Sequence, residues 1–393
     1  MPSEPQVNLL IKPPANRSSK MDRCDFLRAS SVIHAAQKYM GMNDYYLRRE
    51  SGELKRYGAC GPYKIYHYSL IAILCVAQLL AEFLLKPPTP RSVLQRVVFD
   101  YRAYSELVAV IGMAANKAMH ANREIRCVEA ICGFDEEMAL IGFPVDTSEV
   151  RRFNFAYLSA LFSMLALEFL GAFALKRNDP GFLMMHSVFL TKNVFKYMFA
   201  VSFRHWMLSV AYRFQAIGKS LTVVADRSSL KLYKIRSVAK LHVELCEILD
   251  TLQRSKLLTA LLLLVVNWIT VVIEFYHMAI SLYQWDRFGL SMMPFTCYAI
   301  LLHSIDSTFI VICCGQIRTK ANLLKRPLLQ LMTNERDEHI RKEINAFGLQ
   351  LLHHDVKVTA GKFFTIDTPL IFAMVAAGCT YLVILVQFEL AFA

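Results

Sequence analysis

From Thr368 to Phe388 the chain carries no charged side chain. At a rise of about 1.5 Å per residue a helix over this run spans about 30 Å, the thickness of a bilayer's hydrocarbon core. The run is not uniformly apolar. Reading back from Gln387 at helical spacing gives Ile384, Thr380, Ala377 and Ala373, a narrow stripe of small or hydrogen-bonding side chains, while Leu382, Val383, Leu385 and Val386 cover other faces. A buried amide needs partners or water. Either Gln387 bridges helices in an ordinary bundle, or the stripe lines a wet path.

The rest of the chain has the same solvent in mind. Hydrophobic residues make up 55% of the 393 and aromatics 12%, above the roughly 45–50% apolar share of soluble domains. An all-α polytopic membrane protein is expected, with seven spans at about 65–85, 94–115, 153–175, 182–212, 257–283, 290–317 and 367–390. The second carries Asp100, Arg102 and Glu106 and the fourth Lys192, Lys196 and Arg204, so hydropathy alone marks them weakly.

Charge sets the orientation. Of the 44 Lys and Arg, 34 fall in the amino-terminal segment and in the second-to-third, fourth-to-fifth and sixth-to-seventh connections, against 6 on the other side. The positive-inside rule therefore puts the amino terminus in the cytosol and the carboxy terminus outside. This distribution explains the net charge of +12 without nucleic acid. It is also opposite to a G-protein-coupled receptor, and neither Asp-Arg-Tyr at the end of the third span nor Asn-Pro-x-x-Tyr in the seventh is present. The expected organisation is a cytosolic segment 1–64, six helices over 65–317 with cytosolic extensions at about 214–256, a cytosolic helical region 318–366 and a last helix 367–393. The single sequon, Asn16-Arg17-Ser18, stays unmodified on this topology, and the ten cysteines fall in spans or cytosolic segments, against structural disulfides.

The long inner connections have helical patterns. Val238, Leu241, Leu245, Ile248 and Leu252 form an a/d seam, and Ile340, Ile344, Phe347 and Leu351 repeat at similar spacing after Pro327. Both seams suit packing within one subunit or between subunits.

Thr380-Tyr381, five apolar residues, then Gln387-Phe388, in a last span at the carboxy-terminal end, resembles the signature of insect gustatory receptors, relatives of the insect odorant receptors. Gly361 to Asp367 resembles the family's approach to that helix, and length, span count and topology agree over the whole chain. The resemblance implies a ligand-gated cation channel in the plasma membrane of a chemosensory neuron, opened by a small-molecule tastant without a G protein. It implies a homo- or heterotetramer held by cytosolic extensions, with four copies of the last helix around one pore. Gln387 and Phe388 would stand near the outer constriction, with Ile384 and Thr380 further in. Phe388 would supply a dewetting ring and Gln387 a polar one. Glu389 lies just beyond, where four carboxylates at a mouth favour cations. Thr380 and Tyr381 suit packing against the fifth and sixth spans equally well.

Within the spans, ionisable groups cost several kcal/mol unless paired or wetted. Glu168, Lys192 and Glu274 come out roughly 10–14 Å below the outer surface, which suggests one buried network tying three helices. With Tyr104, Phe169, Phe189, Lys196, Trp268, Tyr276 and Tyr298 the same groups are candidates to line an outer pocket, where the resemblance puts the tastant. His303 and Asp306 sit near mid-membrane, after Pro294. No enzyme constellation, cofactor motif or metal-ligand spacing is present. The alternative is a small-molecule transporter of the same inverted topology, with Glu168, Lys192 and Glu274 as a relay.

Overall fold

The computed structural model describes residues 25–40, 42, 45–50, 53–58, 61–84, 93–176, 180–224, 231–284, 287–360 and 364–392. The Asn16 sequon and the Gly361-Lys362-Phe363 approach to the last helix lie outside them.

A short helix α1 (Asp25–Tyr39) precedes an antiparallel pair, β1 (Tyr45–Glu50) and β2 (Glu53–Gly58), in which Glu50 pairs with Glu53. Six long helices follow: α2 (Gly61–Leu84), α3 (Val93–Leu140), α4 (Ser148–Lys176), α5 (Pro180–Val224), α6 (Lys231–Tyr283) and α7 (Arg287–Asn322). Two shorter ones, α8 (Lys325–Asn334) and α9 (Glu338–His353), lead through the small pair β3 (Thr359–Ala360) and β4 (Phe364–Thr365) to α10 (Thr368–Phe392). Within the described residues, each span expected from the sequence falls on one of the long helices or α10, to within a residue of its bounds. Among the described residues, four segments, 148–174, 231–283, 293–334 and 368–391, are long and apolar enough to cross a membrane by composition. The two small β-pairs depart from a purely helical expectation.

At about 1.5 Å per residue, the 53 residues of α6 extend about 80 Å, well beyond a membrane core. α6 packs against α3, α5, α7, α9 and α10, so it links the region outside the expected spans to the last helix. Its a/d seam is buried inside the chain: Val238, Leu241, Leu245, Ile248 and Leu252 join the main core with Ile344, Phe347 and Leu351 of α9. Burial at both 3- and 4-residue spacing is what an amphipathic helix needs in order to remove its stripe from water. His242 sits in this seam between the rings of Phe214 and Phe347 at 5.7 and 5.8 Å, with Gln350 Nε2 3.4 Å from its Nδ1.

Local signals explain the boundaries. Gly142, at φ 92°, takes the left-handed conformation after α3 that side chains rarely adopt. Pro327 lies in the first turn of α8, where a missing N–H costs no helical bond. The break before α9 falls later, where the Asp337 side chain caps α9 by accepting from the His339 N–H at 2.8 Å. Cys132 is disulfide-bonded, against the expectation of reduced cysteines.

Candidate functional site

Charged side chains from several helices converge inside the bundle. α3 contributes Arg102 and Glu106, one turn apart on one face. Glu106 is the shared carboxylate: Lys196 Nζ lies 3.5 Å from its Oε1 and Lys192 Nζ 3.9 Å from its Oε2, and all three side chains are buried. Arg102 instead meets Glu274 Oε1 of α6 at 2.5 Å, and its guanidinium lies 4.7 Å from the Phe189 ring centroid. Glu168 of α4 faces His186 Nε2 at 3.8 Å. The expected Glu168, Lys192 and Glu274 group is therefore divided among three different partners. It remains one electrostatic neighbourhood, since Glu168 senses Arg102, Glu106, Glu274 and Lys196.

A second cluster forms around Asp306, which ties four helices together. Its carboxylate accepts from Tyr157 OH at 3.1 Å and from Asn267 Nδ2 at 2.8 Å, and it pairs with Arg204 at 3.2 Å. The Arg204 guanidinium lies 3.6 Å over the Tyr157 ring. One turn away, His303 Nδ1 is 3.0 Å from Tyr197 OH and 3.3 Å from Lys196 Nζ. Lys196 thus joins the two clusters. Several buried polar atoms of this region, among them Tyr298 OH, Arg102 Nε and His303 Nε2, have no hydrogen-bond partner among the described residues. Unsatisfied buried groups of this kind are costly, and a bound polar molecule or water would relieve them.

The other pocket candidates are distributed differently. Tyr104 and Phe169 are exposed on the outside of the bundle. Trp268 lies against α10: a Cβ built on Gly378 would come 2.9 Å from Trp268 Cζ2 and 3.1 Å from its Nε1. Glycine is what permits that approach. Tyr276 also reaches α10, donating from its OH to Glu389 Oε2 at 2.9 Å, while Gln95 Nε2 of α3 donates to Glu389 Oε1 at 2.9 Å. Glu389, expected as a carboxylate at a mouth, is only 1% exposed and anchors the carboxy-terminal end of α10 to its own bundle.

These contacts give α10 two faces. Leu382, Leu385 and Val386 pack on Val98, Ile273, Tyr276 and Ile280, in line with Gly378 and Glu389. The other face presents Thr380, Ile384, Gln387 and Phe388, all exposed, with Phe388 at 54%. The Thr380 hydroxyl is turned back to the Ala376 carbonyl at 3.1 Å. Sequence reasoning missed Glu106 as the central carboxylate and did not find Gln95 or Gly378. The Arg102 and Glu106 spacing of four, in a span that also carries Asp100, was the available signal for the first. Nothing local marks the other two, whose roles arise from helices distant in sequence.

Outside the expected spans, burial pushes His242 down to about 4, with His354 adding to the effect, and pushes the Cys246 thiol up to about 12. Both are neutral near pH 7 and serve the core.

The sequence matches the model of the 7tm chemosensory receptor family over residues 31–392. Putative gustatory receptor 28b of Drosophila melanogaster is 22% identical over 316 residues, which cover 72% of this chain and 67% of that one. Putative gustatory receptor 28a of the same organism is 23% identical over 168 residues, covering 40% of this chain and 36% of that one. Among solved structures, the insect olfactory receptor OR5 from Machilis hrabei superposes with a TM-score of 0.70 at 12% identity, covering 93% of this chain and 100% of that one. The same receptor in complex with eugenol gives a TM-score of 0.63 with the same coverage. At such identity the likeness is one of fold.

Proposed function

This chain belongs to the 7tm chemosensory receptor family, and from that premise we propose that it is a gustatory receptor acting as a ligand-gated, non-selective cation channel. Four subunits, identical or mixed, assemble in the plasma membrane of a chemosensory neuron with their amino termini in the cytosol. A copy of α10 from each lines a common pore.

The observation that carries this reading is the two-faced last helix. Its packing face is satisfied within the chain, while Thr380 and Gln387 put two polar side chains, on either side of the apolar Ile384, on the outward face. A polar stripe on a membrane helix is costly against lipid and favourable against water or sister helices. The assembly has a second support. Leu323, Leu329, Leu349 and Leu352, on and beside α8 and α9, are all more than half exposed although they lie outside the expected spans. Leucines at this density on a water-facing surface call for a protein cover.

In the pore, Phe388 forms the hydrophobic constriction, flanked by Gln387, with Ile384 and Thr380 deeper. Glu389 acts as a tether through Tyr276 and Gln95. The tastant binds in the outer half of the bundle near Glu168, Phe189, Lys192, Lys196 and Tyr298, with Tyr104 and Phe169 toward its periphery. Glu274, Trp268 and Tyr276 on α6 carry the change to α10. Ligand binding opens the pore only in so far as it favours the open arrangement. From an unliganded open fraction of about 1%, roughly 5.5 kcal/mol of differential binding summed over sites reaches about 99%.

Patch recording from cells expressing the chain, against a mixed tastant panel, tests the reading. Ligand-evoked unitary steps are expected, with four bleaching steps per fluorescently tagged particle. Small saturating currents without unitary steps would instead favour the transporter, for which the Glu106, Lys192 and Lys196 cluster would be the relay.

A further inference from the structure

An open cavity lies away from both the proposed pocket and the pore. It is an open space of about 530 Å³ between α3 and α6, on the side placed in the cytosol by the reading above. On α3 its wall is the stripe Arg123, Arg126, Ala130, Gly133 and Glu137, whose spacing of 3, 4, 3 and 4 defines one helical face. The room comes from Ala130 and Gly133, since a Cβ placed on Gly133 would meet nothing within 4 Å. Arg254 projects from the α6 wall.

Charge is sorted along this cavity. Arg254 precedes the fifth span by three residues, about 5 Å of helix, which puts it in the headgroup layer. Arg123 and Arg126 follow the second span by about 12–17 Å, within the further reach of their own long side chains. Neither makes a side-chain ion pair or hydrogen bond among the described residues, and both are exposed. Arg254 has only the exposed Asp250, at 2.8 Å one turn away, a pairing that is weak in water. The acids of the same wall lie deeper. Glu137 and Glu244 share Lys240 at 3.3 and 3.2 Å, and Glu247 lies between them and the arginines.

We propose that this cavity binds a phosphorylated anion, presented in the cell as the polyphosphorylated headgroup of an inner-leaflet phospholipid. Guanidinium groups hold phosphate through paired, charge-assisted hydrogen bonds. Three of them descending from the membrane surface suit a headgroup with more than one phosphate, while the deeper carboxylates exclude the anion from the lower end. An occupant joins α3 to α6, the helix that continues to Trp268 and Tyr276 at the last helix. The proposal rests on the cytosolic placement of this region, but its test needs neither current nor tastant, so either can fail without the other.

The full-length protein, purified in detergent, is titrated with short-chain phosphatidylinositol bisphosphate, inositol trisphosphate and short-chain phosphatidylcholine. Saturable binding of the first is expected. R123Q/R126Q should weaken it about 30-fold and R254Q about fivefold, from roughly one 1 kcal/mol contribution per arginine. R341Q, exposed on α9 and away from the cavity, should leave it unchanged. Binding of the lipid but not of inositol trisphosphate supports a membrane source, and equal binding of both supports the same site with a soluble ligand. Absent binding, equal binding of phosphatidylcholine, or an unchanged Kd in both a correctly folded R123Q/R126Q and R254Q would overturn the proposal.

Discussion

The contact between Gly378 and Trp268 makes a quantitative test of how the last helix is held. A methyl group at 378 would stand 2.9 Å from Trp268 Cζ2 and 3.2 Å from Cε2, against a rigid ring whose backbone belongs to the central helix. No flexible chain end can swing aside, so α10 must retreat or the indole must turn, and overpacking of this kind costs about 1–3 kcal/mol. G378A should therefore lower the melting temperature of the purified protein. In the W268L background, where the obstructing ring is gone, the same methyl should cost at least about 1 kcal/mol less, the coupling expected of residues in contact. The change also bears on gating. Widening a pore among four copies of α10 withdraws each toward its own bundle and onto Trp268. If the whole penalty falls on that state, the agonist-evoked ratio of open to closed channels drops about 5- to 150-fold for each G378A subunit in the channel. Paired thermal melts and patch recordings of wild type, both single variants and the double variant supply the cycle. An equal cost of G378A with and without the indole would refute the packing, and raised basal current in G378A would refute the direction of movement.

Glu106 supplies a second perturbation, because E106Q leaves Lys192 and Lys196 buried without their carboxylate. The expected loss is about 3–5 kcal/mol, read as poor recovery of monodisperse protein and partly restored by K196M. F388A should raise basal current by removing the hydrophobic ring, while an unchanged closed pore would remove Phe388 from the gate. His242 sets a pH dependence of stability. Its ordinary value of 6.5 falls to about 4 on folding, so the unfolded chain takes up a proton that the folded one refuses. Stability is thus full above pH 6.5 and declines as pH falls from 6.5 toward 4. At pH 5 the loss approaches about 2 kcal/mol, and H242Q should flatten that part of a melting-temperature profile against pH.

Membrane residence, the helical class, the length of the last helix and the two-sidedness of its residues were all legible in the chain. Each depends on contiguous residues meeting a solvent of known thickness, and a run such as Thr368–Phe388 leaves few alternatives. The family resemblance was legible for the same reason, since Thr380-Tyr381 and Gln387-Phe388 form one short local signature. Partner choice among the buried charges was not. Depth along a helix places Glu168, Lys192 and Glu274 at one level, but pairing depends on the rotation of each helix, and rotation is set by packing around the whole bundle. Only the tertiary structure shows that Lys192 meets Glu106, that Arg102 takes Glu274, and that Glu389 turns inward to Tyr276 and Gln95. Gly378 makes the same point at its smallest scale. Within its own helix it is an ordinary small residue, and its meaning comes from an indole that lies 110 positions earlier in the chain.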